Sequence, residues 1–155
     1  MGSEMCIRDS FNIVVPDKAY FGQKDAQQLA VIRHMVRDLN FGIEIVGCPI
    51  IREEDGLAKS SRNTYLNEKE RQAALVLSRS LKEGKALMDA GEKDTAKIRK
   101  VITDMIEKEP LAKIDYVEVV DWNTLESVDK VDGPVLTAIA VYIGKTRLID
   151  NFIVE

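Results

Sequence analysis

The chain has 155 residues, of which 45% are hydrophobic and 31% charged, and its formal net charge is −4. This size and composition suit a folded, soluble protein with one ordinary domain or two small ones, and they exclude a fibre, a disordered chain and a large multidomain protein. The acidic balance, with no concentrated basic segment, argues against a nucleic-acid partner.

The sequence also limits location and metal chemistry. It has no run of about 18 to 20 apolar residues that could span a membrane, and no apolar segment near its start resembles a signal peptide. We therefore expect a cytoplasmic protein with no membrane partner. Cys6 and Cys48 are too far apart for a metal knuckle and are expected to be reduced thiols. Because His34 is the single histidine, a His-based metal cluster is excluded.

The beginning of the chain predicts a leader followed by a strand. Residues 1–10 show neither helical nor strand periodicity, and we expect them to be a non-native leader. Residues 11–15 form a short apolar, β-rich run that ends at Pro16, which predicts a buried strand. A loop is expected at residues 17–21.

The next segment completes a strand–helix–strand unit. Apolar residues at spacings of three and four predict a helix that follows Gly22 and ends near residues 40–42. Residues 43–47 then predict a second strand, parallel to the first. Because two parallel strands cannot form a whole sheet, we expect the end of a larger open α/β domain.

The remainder predicts a small α+β domain with the order α-α-β-β-β. A polar connection at residues 52–63 precedes one helix, which Asn67 caps and Gly91 ends, and Asp94 caps a second helix. Three strands are predicted, and Gly144 and Lys145 separate the last two as a tight hairpin. These strands occupy residues 114–121, 135–143 and 147–154.

Residues 20–28, with the sequence YFGQKDAQQ, lie where a strand gives way to a helix, which is the place where open α/β sheets bind ligands. A helix N-terminus favours an anion, and Lys24 adds a positive charge there. Lys24 and Gln28 are four residues apart and are expected to share a helical face, while the Asp25 carboxylate can accept ribose hydroxyls. The alternative is structural: Gly22 turns the chain, Asp25 caps the helix and Lys24 is solvated.

A second polar stretch, DGLAKSSRN at residues 55–63, places a lysine, two hydroxyls and an arginine at consecutive positions, 59–62. A loop with these groups can close over a polyphosphate and stabilise charge as it develops on the leaving pyrophosphate. The alternative is an ordinary surface loop or the start of a helix.

These stretches, taken together, resemble the pantothenate synthetase family, the pantoate–β-alanine ligases among the class I aminoacyl-tRNA synthetase-like nucleotidyltransferases. The resemblance covers essentially residues 11–155. The motifs that carry it are NIV from residue 12, PDKAYFGQKDAQQL from residue 16, GCPIIREEDGLAKSSRNTYL from residue 47, IDYVEVVD from residue 114 and GKTRLIDN from residue 144.

The resemblance implies a Rossmann-like ATP-binding domain, here its C-terminal part at residues 11–50, joined to a small C-terminal domain at residues 51–155. It implies an AMP-forming acid–amine ligase of pantothenate biosynthesis, the route to coenzyme A, that is usually a homodimer. ATP and pantoate form pantoyl adenylate and pyrophosphate, and β-alanine then displaces AMP. ATP is a substrate, and Mg²⁺ is held mainly through its phosphates, so no protein metal ligand is expected.

The resemblance also implies roles for residues near the predicted strand end. Gly22 and Asp25 approach the ribose, and Lys24 contacts phosphate as a catalytic residue. Gln28 hydrogen-bonds pantoate, and Ile51 lines the adenine pocket.

Residues of the second polar stretch receive the remaining roles. Many relatives carry an apolar residue at position 59, so the resemblance implies no role for the Lys59 side chain. It implies only a contact between the Lys59 backbone and adenine. Ser60, Ser61 and Arg62 match the catalytic loop that closes on the β and γ phosphates, the counterpart of the KMSKS loop of the synthetases.

The family's H-x-G-H histidines have no counterpart in this sequence. We therefore expect a C-terminal fragment with little or no ligase activity alone. Two alternatives stay open: a non-catalytic folding or dimerisation module derived from such an enzyme, and a related nucleotidyltransferase with another acid substrate.

Overall fold

The computed structural model describes residues 3–154, with side chains from residue 5 onward. The chain divides between Pro49 and Ile50 into two compact units, called here the first and second units. Within the described residues, the first unit has a two-stranded parallel sheet with helices, and the second has helices with a three-stranded antiparallel sheet. This arrangement confirms the predicted α/β fold class.

A parallel strand–helix–strand crossover forms the centre of the first unit. Strand β1 is Lys18–Gly22, helix α2 is Ala26–Asp38 and strand β2 is Glu44–Cys48. The two strands pair along their whole length. Helix α2 buries an apolar stripe at helical spacing, so the predicted helix and second strand are confirmed. The stripe comprises Leu29, Ile32 and Val36.

The chain preceding this crossover is helical, and the predicted strand at residues 11–15 is wrong. Helix α1 spans Ser3–Val14, and the first strand lies instead in β1, where a loop was expected. Ile7 and Phe11 are four residues apart and lie in the same apolar cluster. Setting residues 1–10 aside as a leader removes Ile7 from the pattern, so the helical spacing cannot be recognised and the β propensity of the next five residues dominates.

Phe11 anchors α1 to the rest of the first unit. Its side chain is 7% exposed and meets the rings of Phe21 and Phe41 edge-on, at centroid distances of 6.3 and 6.2 Å. Aromatic rings prefer this geometry because the positive edge of one faces the negative face of the other. The aromatic cluster therefore decides that residues 11–14 continue a helix.

The second unit has the predicted α-α-β-β-β order, with one short 3₁₀ helix before it. Strand β4 lies between β3 and β5, and both neighbours run antiparallel to it. Side chains from the two long helices and from the sheet form one buried apolar cluster. The elements are the 3₁₀ helix Ser61–Tyr65, α3 Glu68–Asp89, α4 Thr95–Ile106, β3 Ala112–Asp121, β4 Val135–Ile143 and β5 Thr146–Val154.

The starts of α3 and α4 follow the predicted caps. The Asn67 side chain accepts the amide of Glu70 at 3.0 Å, and the Glu70 carboxylate accepts the amide of Asn67 at 3.0 Å. Asp94 accepts the amide of Ala96 at 2.9 Å. Each cap satisfies backbone donors that the first helical turn leaves unpaired.

Gly84 and Gly144 are two positions of the second unit where the geometry favours glycine. A Cβ at Gly84 in α3 would lie 2.6 Å from Cδ1 of Ile102 in α4, so a side chain there would force the buried Ile102 side chain to move. Gly144 has a φ of 58° and begins the two-residue turn from β4 to β5, a conformation that glycine adopts without strain.

Candidate functional site

The carboxyl ends of β1 and β2 meet at one edge of the first unit. Gly22 ends β1 and lies opposite Cys48, which ends β2. The amide of Gln23 donates to the Cys48 carbonyl at 2.8 Å, and α2 begins at Ala26. Strand ends and a helix N-terminus therefore converge, as at the ligand-binding edges of open α/β sheets.

Asp25 has the capping role that the sequence left open. Its Oδ1 accepts the amide of Gln28 at 3.1 Å, which makes it the N-cap of α2. Lys24 precedes this cap, where the backbone is not helical, so Lys24 and Gln28 do not share a helical face as expected. Both side chains are half-buried and follow the end of β1 closely in sequence.

Gly22 faces open space. Among the described residues, no heavy atom lies within 4 Å of the position that a Cβ would occupy there, leaving out its two chain neighbours. Packing inside the described chain does not require a glycine at this position. The space is open for a ligand to approach the backbone.

The polar stretch of the second unit begins with a narrow loop at residues 51–59. Arg52 and Ala58 form an antiparallel bridge, and the amide of Lys59 donates to the Ile51 carbonyl at 2.9 Å. Leu57 is 3% exposed and joins the apolar cluster of the second unit. Backbone hydrogen bonds and the buried Leu57 side chain therefore give this loop a fixed shape. The sequence alone predicts only that it is a polar connection.

An ion pair fastens this loop to the sheet. Arg52 donates to both carboxylate oxygens of Asp150 in β5, at 2.7 and 3.0 Å, and to the carbonyl of Gly56 at 3.1 Å. Asp150 is 2% exposed. Two parallel hydrogen bonds fix the orientation of the guanidinium as well as its position, so the loop has a defined place on the sheet.

A second arginine holds the acidic side of the loop. Arg71 in α3 donates to Glu53 and to Asp55, each at 2.8 Å, and Asn63 donates to Glu53 at 2.7 Å. The hydrogen bond from Asn63, followed by those from Arg71, holds the pKa of Glu53 below its usual value. The amide of Leu57 and then Arg71 lower the pKa of Asp55, and the two carboxylates raise the pKa of Arg71.

The predicted phosphate-closing residues begin the 3₁₀ helix. Ser60 is its N-cap, and the Ser60 hydroxyl accepts the amide of Arg62 at 3.3 Å. Ser61 and Arg62 are exposed, and Asn63 is buried. The local structure is therefore the helix start that the sequence allowed as an alternative, with Ser61 and Arg62 accessible from solvent.

Lys59 and Arg62 line two different cavities of the second unit, and Ile51 is 69% exposed. The Lys59 cavity has a volume of about 450 Å³ and contains the acidic loop residues. The Arg62 cavity has a volume of about 500 Å³ and reaches the β4–β5 turn. The first is lined by Arg52, Glu53, Glu54, Asp55, Lys59 and Arg71, the second by Arg62, Tyr65, Lys145, Thr146 and Arg147.

Sequence reasoning assigns no role to Arg52, Arg71 or Asp150, which position the loop. The signal for Asp150 is an acidic residue in the apolar strand sequence RLIDNFIV, since an acidic side chain there requires a partner. The partners themselves are distant in sequence and become identifiable only in the folded chain.

None of the helices within residues 3–154 has the length and apolar character of a membrane span. Among the side chains that the structure describes, no three His, Cys, Asp or Glu residues are grouped so as to hold a metal ion.

Comparison with known proteins identifies the family. The family model described as pantoate-beta-alanine ligase matches residues 4–153, which include both polar stretches. This chain belongs to the pantoate-beta-alanine ligase family. The resemblance deduced from the motifs is thereby confirmed.

Two clostridial relatives named pantothenate synthetase support the family assignment. The protein of Clostridium acetobutylicum is 69% identical over 142 residues, and that of Clostridium botulinum strain 657 is 66% identical over 142 residues. Each alignment covers 92% of this chain and 50% of the relative. The chain therefore spans about half the length of the curated relatives it matches.

Solved structures of the family have the same fold. The pantothenate synthetase from Thermus thermophilus superposes with a TM-score of 0.92 at 38% identity, over 97% of this chain and 54% of that one. The pantoate-beta-alanine ligase from Francisella tularensis, complexed with beta-gamma ATP and beta-alanine, gives 0.65 at 27% identity, over 97% of this chain and 49% of that one.

Proposed function

We propose that this chain is part of an ATP-dependent ligase that condenses pantoate with β-alanine to form pantothenate. The observation that carries the proposal is the family match over residues 4–153, because it includes both stretches that the sequence assigns to nucleotide chemistry. We assign residues 11–50 to the ATP-binding domain and residues 51–155 to the small C-terminal domain.

The reaction proceeds in two displacement steps. A pantoate carboxylate oxygen attacks the α-phosphorus of ATP, the bond to the β-phosphate oxygen breaks, and pyrophosphate leaves with its electron pair. The β-alanine amine then attacks the acyl carbon of pantoyl adenylate, AMP leaves, and the amine loses a proton. Negative charge develops on the leaving group in the first step, so fixed cations near it lower the barrier.

The first unit supplies the ribose and acid contacts in this proposal. The ribose approaches the backbone at Gly22, where a side chain would point into open space. Asp25 accepts a ribose hydroxyl with the carboxylate oxygen that does not cap α2, and Lys24 contacts phosphate. Gln28 hydrogen-bonds pantoate.

The second unit supplies the contacts to adenine and to the outer phosphates. Ile51 lines the adenine pocket, and Lys59 contributes its backbone. Ser60, Ser61 and Arg62 contact the β and γ phosphates, and Arg62 is the cation among them. The anchored loop at residues 51–59 limits the freedom of these groups, which lowers the entropic cost of arranging them around a ligand.

Three further assignments belong to the whole enzyme. Mg²⁺ enters with ATP as part of the substrate and is held through the phosphates. The enzyme is a homodimer, and it works in the cytoplasm.

Calorimetric titration of ATP tests the proposal. ATP is titrated into this chain alone and into the chain mixed with the N-terminal half of the Clostridium acetobutylicum relative. We expect ATP to bind in the mixture, and Lys24→Gln to weaken binding about tenfold, as loss of a charge-assisted phosphate contact does. Pantoate-dependent pyrophosphate release is expected to be slow from the chain alone and faster from the mixture.

Lys18→Gln is the matched control. Lys18 is exposed at the opposite end of β1 and pairs with exposed Glu44 at 2.8 Å, so its loss is expected to leave ATP affinity unchanged. Absence of ATP binding in the mixture, or equal effects of the two substitutions, contradicts the proposal and favours a non-catalytic module.

A further inference from the structure

The cavity that contains Arg62 also contains residues that the family resemblance leaves without a role. The β4–β5 turn brings Lys145, Thr146 and Arg147 to the same space as Arg62 and Tyr65 of the 3₁₀ helix. Its volume of about 500 Å³ lies within the range of small-molecule sites, roughly 300 to 1,000 Å³. Two elements distant in sequence therefore form one basic pocket.

The three cationic side chains of this pocket differ in whether they already have a partner. Within the described part of the chain, the side chains of Arg62 and Lys145 have no hydrogen-bond or ion-pair partner. Arg147 is paired with Asp115 at 2.8 Å and lies 5.8 Å from the ring centre of Tyr116. Asp115 thus fixes Arg147 in place and raises its pKa. Arg62 and Lys145 are therefore available to a ligand, and Arg147 beside them is held in place by Asp115.

A second carboxylate, besides Asp115, lies near the same turn. Glu70 approaches Gly144, but its Oε2 accepts the Asn67 amide at 3.0 Å in the cap of α3. Counting Asp115 and Glu70 against the three cations leaves the pocket positive. Hydroxyl donors on Thr146 and Tyr65 add neutral contacts.

The geometry points to Lys145 as a further ligand of the departing pyrophosphate, acting beside Arg62 in this pocket. Arg62 and Lys145 lie on separate elements, so together they can bind two anionic groups of one ligand. Pyrophosphate has two such groups, whereas a ligand with a single carboxylate has one. The identification of the ligand rests on the proposed function, in which pyrophosphate leaves during adenylation. Lys145 then neutralises charge on the β and γ phosphates as the bond to the α-phosphate breaks.

Titration of inorganic pyrophosphate into this chain, followed by calorimetry, tests the site. We expect saturable binding that weakens as NaCl is raised, because salt screens exposed charges. Lys145→Gln and Arg62→Gln are each expected to weaken binding about tenfold. Lys145 is exposed in a turn and Arg62 is exposed in the 3₁₀ helix, so circular dichroism should show both variants folded.

Lys130→Gln is the matched control, because it removes the same charge from an exposed residue that precedes β4, at the opposite end of that strand from Lys145. Its pyrophosphate affinity should equal that of the unmodified chain. Absence of pyrophosphate binding, or equal affinities for Lys145→Gln and Lys130→Gln, overturns the inference.

Competition with ATP, measured in the mixture with the N-terminal half, separates this inference from the proposed function. If pyrophosphate binds through Lys145 and ATP displaces it, both stand. If ATP fails to displace it, the pyrophosphate site stands and the assignment of ATP to this chain fails. If ATP binds through Lys24 but Lys145→Gln leaves pyrophosphate affinity unchanged, the proposed function stands and the role of Lys145 fails.

Discussion

Replacing Arg52 by alanine tests how the loop before the 3₁₀ helix is held. Asp150 is 2% exposed, and Arg52 bonds to both of its oxygens. Without the guanidinium, the carboxylate keeps the hydrogen bond from the Asn151 amide at 2.9 Å. We expect the second unit to lose stability because a buried charge is left without its counter-charge.

The magnitude follows from the exposure of the two partners. Removing one partner of a buried ion pair costs about 3 to 5 kcal/mol. The side chain of Arg52 is 31% exposed, so water already offsets part of the interaction and the lower end, about 3 kcal/mol, applies. Asp150→Asn removes the charge that needs a partner and leaves a partly solvated arginine, so its expected cost is smaller, about 1 kcal/mol.

Urea unfolding followed by Trp122 fluorescence measures this loss. Trp122 is the only tryptophan of the sequence and lies in the second unit, so the signal reports that unit. A loss of about 3 kcal/mol lowers the midpoint by about 1 to 3 M at ordinary m-values. Arg99→Ala is the control, since its exposed pair with Glu118 spans 3.7 Å and contributes under about 1 kcal/mol.

Two results would refute the reasoning. The first is an Arg52→Ala midpoint equal to that of Arg99→Ala. The second is a larger loss for Asp150→Asn than for Arg52→Ala, which would place the dominant cost on the arginine instead of the buried carboxylate.

Three other measurements test the fold. Gly84→Ala should lower the urea midpoint, because overpacking against α4 costs about 1 to 3 kcal/mol and exceeds a helix-propensity gain of about 1 kcal/mol; an unchanged midpoint contradicts this. Glu53 and Asp55 have lowered pKa values when folded, so their stabilisation is present above their usual values of 4.5 and 3.8 and is lost as the pH falls through the folded pKa values. The loss of unfolding free energy on acidification should therefore be smaller in the double variant Glu53→Gln, Asp55→Asn. An unchanged dependence of stability on pH contradicts a stabilising role of these two carboxylates. Amide exchange should be faster in residues 11–50 than in residues 64–155, because the first unit exposes several large apolar side chains; equal protection argues otherwise.

The sequence predicts elements well where local signals and packing agree. The Asn67 cap, the Asp94 cap and the turn at Gly144 each depend on residues close together in the chain, and the structure has all three. The strand predicted at residues 11–15 fails for the opposite reason. Contacts of Phe11 with two rings distant in sequence stabilise a helix against the local β preference.

The candidate site likewise has features that the sequence predicts and features that only the folded chain reveals. The residue types at positions 22–28 and 59–62 indicate nucleotide chemistry, because their charges and hydroxyls are visible in the sequence. The helical face expected for Lys24 and Gln28 depends on where α2 begins, and the Asp25 cap places that start after Lys24. The neighbours of Arg62 at the β4–β5 turn lie about 80 residues away in the sequence, so no local pattern reveals them.

Composition, motif order and local caps determine the α/β fold class of this protein and its membership of a ligase family. The tertiary structure decides which charges become partners, Arg52 with the buried Asp150 and Arg71 with the acidic loop, and it brings Arg62 into the same pocket as the basic turn. The physical reason is that hydrophobic periodicity and capping act over a few residues, whereas ion pairs and pockets depend on which strands and helices the core brings together.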